Sequence, residues 1–486
     1  MRTFHARVAL TMMAALATLA HASIAHGYDP ATTHAGLTER AALASSLHRV
    51  MARALSRPLG LLEPVGLSLG DLPTAEAQSL EARLATLDPS GGGMAGPDGV
   101  QPALGWIIAG SIIASTPAER GQDFFYDPSR GSGLSQSGGL ASFGNTLALL
   151  MDAGGGFRAL FTGTQFNMTG RPSTEWLRAP ENDVGLQAFH DGLEAAIAGV
   201  EPQRRATGLA RALMALGGVL TILEDAGEPA HVRNDFRSAY LSSSGPSPFD
   251  RGSPFERFVA ETYGRMGLPA TVTPVRRPNV TAFITAADGE GLADRTQRRF
   301  FSDGSLPEDA VVDRGTTTAE VMVDARESLP YAYPRLPRLE LKAMGRKHYA
   351  YTRDKRRLLA YERVPGRVRF FLDEAVYADT ARVLLPEIAG YGAGLIDHLM
   401  RAEIRIEATG GEAQVSVVGA EGTVSKGRIR VFAEDGSGTR RELTNLPAAS
   451  TAQRVSVPAG TRRVAAVLRG ADDAGDFVAV GESPVK

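Results

Sequence analysis

Glu224, Asp225 and His231 are the residues of this chain whose types and spacing bear most directly on chemistry. They lie in the stretch LGGVLTILEDAGEPAHVRND, Leu216 to Asp235. Leu216, Leu220 and Leu223 recur at helical spacing, so one face of the stretch is apolar. Glu224 and Asp225 close that apolar run, and Pro229 stops or kinks the helix. His231 follows at once, with Arg233, Asn234 and Asp235 behind it. A carboxylate at the end of a buried helix and an imidazole just past the break can converge on one metal ion or one phosphate. The other reading of the same residues is a solvated helix end with a surface histidine.

The stretch resembles the signature helix of the zinc-dependent phospholipase C and single-strand nuclease superfamily. There a helix carries His-x-x-x-Asp followed by Pro-x-His, and these residues hold zinc. Pro229-Ala230-His231 matches the Pro-x-His, and Asp225 matches the Asp. The histidine expected four residues before Asp225 is Thr221. The resemblance extends, with gaps, over Tyr28 to Arg401. It implies two further metal ligands. His34 falls where the family has a zinc-binding histidine near the mature N-terminus, and Glu256 in Pro254-Phe255-Glu256 falls where a helix acid binds zinc. It also exposes departures. Phe125-Tyr126-Asp127-Pro128 keeps the end of a family segment, but Ser115 and Phe124 stand at its metal-binding Asp and His places, and Gly252 stands at the His place before Glu256. The family also ligates zinc with its N-terminal amine. Cleavage before Tyr28 would supply one, with Tyr where the family has Trp.

The family's chemistry is phosphodiester hydrolysis by a zinc cluster, which polarises a phosphoryl oxygen and acidifies a bound water. Each zinc needs about three protein ligands, chiefly His and carboxylate. Beyond the signal region the histidines are His34, His48, His190, His231, His348 and His398. Of these only His34 and His231 fall at ligand places. With Asp225 and Glu256 they form a partial set. The resemblance therefore implies a phospholipase C-like or nuclease-like protein with a largely dismantled zinc site: a non-catalytic or weakly active binding protein, in effect a pseudoenzyme. The alternative is an active phosphodiester hydrolase on a reduced zinc site. Its substrate would be a phospholipid headgroup or nucleic acid, whereas the binding reading also admits a protein partner. No P-loop, dinucleotide fingerprint or Gly-x-Ser-x-Gly elbow offers a different reaction class.

The elements that must position these residues are mostly helical. Helices are expected around Leu37 to Val50, Gly185 to Val200, Arg204 to Glu224, Pro254 onward, Asn279 to Phe301 and Thr316 to Ser328. A closing stretch from Asp373 to Arg401 should break near Pro386 and Gly390. The basic run Lys342 to Arg357, with Tyr349 and Tyr351 inside it, reads either as a decorated solvated surface or as a contact for phosphate or acidic headgroups. From about Ala402 the period changes to alternation, with turn signals at Gly410-Gly411, Asp435-Gly436 and Pro458-Ala459-Gly460. The expected architecture is an all-α body over residues 28–401 followed by a small β-sandwich over residues 402–486.

The chain has 486 residues, 43% of them hydrophobic, enough for a large core and about two domains. A net charge of -2 gives no sign of a nucleic-acid binder working through bulk electrostatics. The absence of cysteine removes disulfides, thiolate metal sites and cysteine catalysis. Arg2 and Arg7 flank an apolar run from Val8 to Ala20, and Ala20-His21-Ala22 fits a cleavage site. Residues 1–27 thus read as a signal peptide, which implies a secreted or periplasmic protein. No later run reads as a transmembrane span.

Overall fold

The computed structural model describes residues 28–87, 98–116, 118–138, 166–235, 252–313 and 344–486, with positions 238, 315, 317–319, 334 and 336–341 between them. The segment read as a signal peptide lies outside the described residues, as does most of the helix expected over Thr316 to Ser328. Of that helix, Thr318–Ala319 is a short strand.

The core is organised on the helix Pro202–Asp225. Pro202 occupies its first turn, where a missing N–H costs nothing. From Ala212 to Asp225 every residue is buried. It packs between the helices Ala103–Ile113 and Leu186–Ala198. The approach to the first of these is close. A Cβ on Gly217 would lie 2.0 Å from the Ile107 carbonyl oxygen, and one on Gly110 would lie 1.9 Å from that of Met214. Two glycines facing across the crossing let the backbones touch. By length and composition this helix could cross a membrane, but 89% of its apolar window is buried within the fold, as befits a core helix.

The closing helix Glu374–Leu399 is continuous, capped by Asp373, with Pro386 in its interior. The expected break is absent because tertiary packing outweighs one lost backbone bond. Leu384, Leu385, Ile388 and Ala389 flank the proline and are all buried, and the Gly390 carbonyl accepts from Val275 N–H at 2.9 Å.

The body is not all-α. Pro64–Ser68 pairs with Asp98–Pro102, Ser135–Gly138 with Phe166–Thr169, and Thr318–Ala319 with Leu339–Glu340. A four-stranded antiparallel sheet runs in the order Ala310–Val311, Arg367–Phe371, Arg357–Val364, Lys347–Tyr351. Its cations conceal the strand pattern: Ala350, Leu358, Leu359, Val368 and Phe370 turn inward onto Phe301 and Leu341, forming a small core of their own. Within the basic run, Lys347 pairs with Asp373 at 2.6 Å and Arg357 with Asp379 at 3.1 Å.

The switch of period near Ala402 does mark a β-rich unit. Its seven strands form one hydrogen-bonded ladder in the order Arg440–Pro447, Arg428–Glu434, Arg463–Asp472, Gly475–Pro484, Glu403–Thr409, Glu412–Val418, Gln453–Ser456. The two halves of this ladder are joined by a single parallel pair, Glu403 with Val480, and share one apolar core that includes Ile404, Val415, Ile429, Val431, Leu468 and Phe477. Phe432, Ala465, Val467, Val478 and Val480 face the other way and join the body's core. The junction is also pinned by charge. Arg440 donates to the Ile197 carbonyl and to Glu434, each at 2.8 Å, and Arg401 pairs with Asp472 at 2.7 Å.

Candidate metal centre

Three elements bring a Glu–His–Glu cluster together. The core helix ends at Asp225, and the chain turns through Ala226 to Pro229 before a single 3-10 turn, His231–Arg233. That turn folds His231 back, so that its own N–H donates to Glu228 Oε2 at 2.7 Å. Glu228 Oε1 accepts from the Ser253 hydroxyl at 2.9 Å. Ser253 caps the helix Pro254–Thr262. Its Oγ accepts from Glu256 N–H at 3.1 Å, and its N–H donates to Glu256 Oε2 at 2.5 Å, a reciprocal capping box. The box leaves Glu256 Oε1 with no hydrogen-bond partner, 3.5 Å from His231 Nε2. One ligand atom each from Glu228, His231 and Glu256 lie within 4.8 Å of one another, and all three residues are buried. Phe125 stacks flat on the imidazole, ring centres 4.1 Å apart, and the His231 carbonyl accepts from Tyr126 N–H at 3.3 Å.

A second pair lies against this cluster. The N-terminal π-helical turn Pro30–His34, capped by Asp29, delivers His34 to the end of the core helix. His34 Nδ1 is 2.6 Å from Glu224 Oε2, which the Thr38 hydroxyl also steadies through Oε1 at 2.9 Å. His34 Nε2 is 3.3 Å from Asp225 Oδ1, and Tyr28 N–H donates to the same oxygen at 3.3 Å. Asp225 Oδ2 has no partner. Both imidazole nitrogens of His34 thus face carboxylates, so without a cation the ring is held as a proton carrier between Glu224 and Asp225.

The charges respond to this crowding. Burial raises Glu228 to about 8 against the hydrogen bonds from His231 and Ser253, with Asp225 adding to the rise. Burial and the neighbouring Glu228 push Glu256 well above the usual carboxylate range. Burial holds His231 down. Burial would also lower His34, but Asp225 and Glu224 overcome it and raise the imidazole to about 10. Without a cation, then, the cluster keeps protons on its carboxyls, which is how buried acids avoid uncompensated charge.

The sequence-derived residues fall into two pairs, His34 with Asp225 and His231 with Glu256. Glu228 completes the second pair and went unread, although it stands three residues before His231. Arg233, just past His231, donates to the carbonyls of Phe300 and Gln297. Thr221 turns its hydroxyl to the Ser111 carbonyl at 3.0 Å, and Phe124 packs in the core. Gly252 has φ of +92°, and a Cβ there would sit 2.7 Å from Glu256 Oε2. Neither His190 nor His348 joins the cluster; each lines a separate pocket.

No family model matches the chain, and no curated protein does. Among solved structures it is similar to the alpha toxin from Clostridium absonum at 12% identity, over 95% of this chain and 96% of that one, with a TM-score of 0.27. It is also similar to the alpha-toxin of an avian strain of Clostridium perfringens at 10% identity, over 94% and 99%, with a TM-score of 0.24. Likeness at that level carries no conclusion about fold or chemistry, which rest on the residues themselves.

Proposed function

We propose that this protein is a phospholipase C-like or nuclease-like metal-binding protein that holds a divalent ion, zinc by the chemistry of its donors, at Glu228, His231 and Glu256, and that it binds rather than efficiently hydrolyses phosphodiesters. The observation that carries this is the buried Glu–His–Glu triangle in which one carboxylate oxygen, Glu256 Oε1, is left unpartnered. One imidazole and two carboxylates suit zinc and leave a fourth position for water or a phosphoryl oxygen. A zinc ion there would supply Lewis acidity toward a phosphate. The chain's own residues do the rest: Ser253 and the His231 N–H fix Glu228, the capping box fixes Glu256, and Phe125 fixes the imidazole plane. Binding rather than turnover is favoured because Thr221, Phe124 and Gly252 give backbone contacts, core packing and a turn where the resembled enzymes have ligands. The occupant of the fourth position would be a phospholipid headgroup, a nucleic acid or a protein carboxylate, and the N-terminal apolar run supports a secreted or periplasmic setting.

A second reading, an active phosphodiester hydrolase on a reduced zinc site, is favoured by the His34–Asp225 pair. Its charges already reach His231 and Glu228. Elemental analysis of the purified full-length protein, together with hydrolysis of bis-p-nitrophenyl phosphate, separates the readings. About one zinc per chain, lost in Glu228→Gln and Glu256→Gln, with no turnover, is expected. Turnover that disappears in both His34→Gln and Glu256→Gln establishes the second reading. Protein that takes up no divalent metal from zinc-containing buffer overturns both.

A further inference from the structure

A half-open cleft of about 860 Å³ lies where the body meets the C-terminal sheet, between the helices Leu186–Ala198 and Val280–Ile284 and the turn at Ala474 to Asp476. None of the metal-cluster residues lines it. Its size is that of a small-molecule site. Leu186, Val280 and Leu399 supply apolar wall, and three arginines, Arg178, Arg277 and Arg469, reach its edge.

The arginines are not equivalent. Arg277 is bidentate to Asp288 at 2.7 and 2.8 Å, and Arg469 is paired with Asp191. Among the described residues Arg178 forms no ion pair. Its guanidinium donates to the Thr174 carbonyl at 3.1 Å and to the Thr281 hydroxyl at 2.8 Å, both neutral groups. A guanidinium has five N–H donors, so this arrangement orients the group and leaves donors and its full charge for something else. Asp476, at the rim, attracts it only through space. Deeper in the wall, His190 is 7% exposed, and its Nε2 has no hydrogen-bond partner. A buried polar atom left unpaired is costly unless a ligand or water completes it.

We propose that this cleft binds a small organic anion, a phosphate monoester or carboxylate carried on an apolar frame, with the anionic head on Arg178, a hydrogen bond to His190 Nε2, and the frame against Leu186, Val280 and Leu399. The imidazole is prepared for this as a neutral group. Burial and the nearby Arg469 charge lower it to about 4, so near neutrality it offers one N–H and one lone pair and brings no charge to be neutralised. The walls come from both the helical body and the C-terminal sheet, so an occupant would bridge them.

The test uses the full-length protein and phenyl phosphate as the probe, followed by calorimetry and by the His190 imidazole NMR signals. Saturable one-to-one binding that shifts those signals is expected. Affinity should fall by at least about tenfold in Arg178→Gln, recover substantially in Arg178→Lys, and stay unchanged in Glu228→Gln. Benzoate against phenyl phosphate distinguishes a carboxylate head from a phosphate head, and inorganic phosphate, which lacks the frame, should bind more weakly than either. Phenol binding as tightly as phenyl phosphate overturns the proposal, because no anion is then being read. Binding that survives Arg178→Gln but is lost in Glu228→Gln assigns the anion to the metal centre and overturns it equally. So does the absence of any binding up to about 10 mM of both phenyl phosphate and benzoate.

Discussion

Replacing Glu228 with Gln should make the metal-free protein more stable while destroying its metal site. In the fold this carboxyl binds its proton until about pH 8, whereas the ordinary value is 4.5. Below pH 4.5 the group is protonated in both folded and unfolded chains and has no effect on stability. Between 4.5 and about 8 only the folded chain holds the proton, so stability falls as pH rises, and above about 8 the loss is complete. At about 1.4 kcal/mol for each tenfold in proton affinity, the loss is about 3 kcal/mol at pH 7 and about 5 kcal/mol at pH 9. Gln keeps the shape, accepts the His231 N–H through its carbonyl, and meets the Ser253 hydroxyl with its amide, so the contacts at 2.7 and 2.9 Å survive in kind. Urea unfolding with chelator at pH 4, 7 and 9 measures the difference between the two proteins. It should be within about 1 kcal/mol of zero at pH 4 and grow to several kcal/mol in favour of the variant at pH 9. Added zinc should stabilise only the parent. Equal pH dependence in both proteins, or a variant less stable at pH 9, would refute the reasoning that this carboxyl is held against its charge for a cation.

Glu224→Gln should lower the titration of His34 from about 10, because the hydrogen bond at 2.6 Å and its charge are part of what holds the proton there. His34 stabilises the fold fully below its ordinary 6.5 and loses that contribution as pH rises toward 10, so the variant should be less stable at neutral pH and flatter across this window. An NMR titration of the His34 ring and unfolding curves at pH 6 and 10 give both answers. Gly217→Ala should destabilise by about 3 kcal/mol, since its Cβ would meet a backbone carbonyl that cannot rotate away. Thermal unfolding tests it, and a change below about 0.5 kcal/mol would mean that the two helices can separate freely.

The core helix, its buried acids and the proline break were legible because helical period and Pro229 act locally. His231 folds back beside Glu256, and His34 reaches Asp225, four positions that the resemblance singles out. Glu228 was not legible. Its role depends on Ser253 arriving from a distant helix, and nothing near Glu228 in sequence announces that hydroxyl. Glu224 was noted as an acid, but its bond to His34 spans 190 residues. The sheet from Lys347 to Phe371 was hidden for a different reason. Its edge residues are cations that snorkel or pair with acids on the closing helix, so the inward set Ala350, Leu358, Leu359 and Val368 never produced a clean alternation. Gly252 read as a missing ligand, whereas its positive φ makes it the residue that lets Ser253 begin the capping box.

The stacking of Phe125 on His231 has a kinetic side. The Tyr126 N–H is bonded to the His231 carbonyl, and Gln297 donates to both Asp127 and the Val232 carbonyl, at 2.7 and 2.8 Å. The imidazole cannot swing aside by itself, because its face, its backbone and the turn beneath it are fastened to one another. Anything seated beside it is released only when that contiguous unit opens. Amide hydrogen exchange at Tyr126 and His231 should therefore slow together and run in step with the residence time of the bound species.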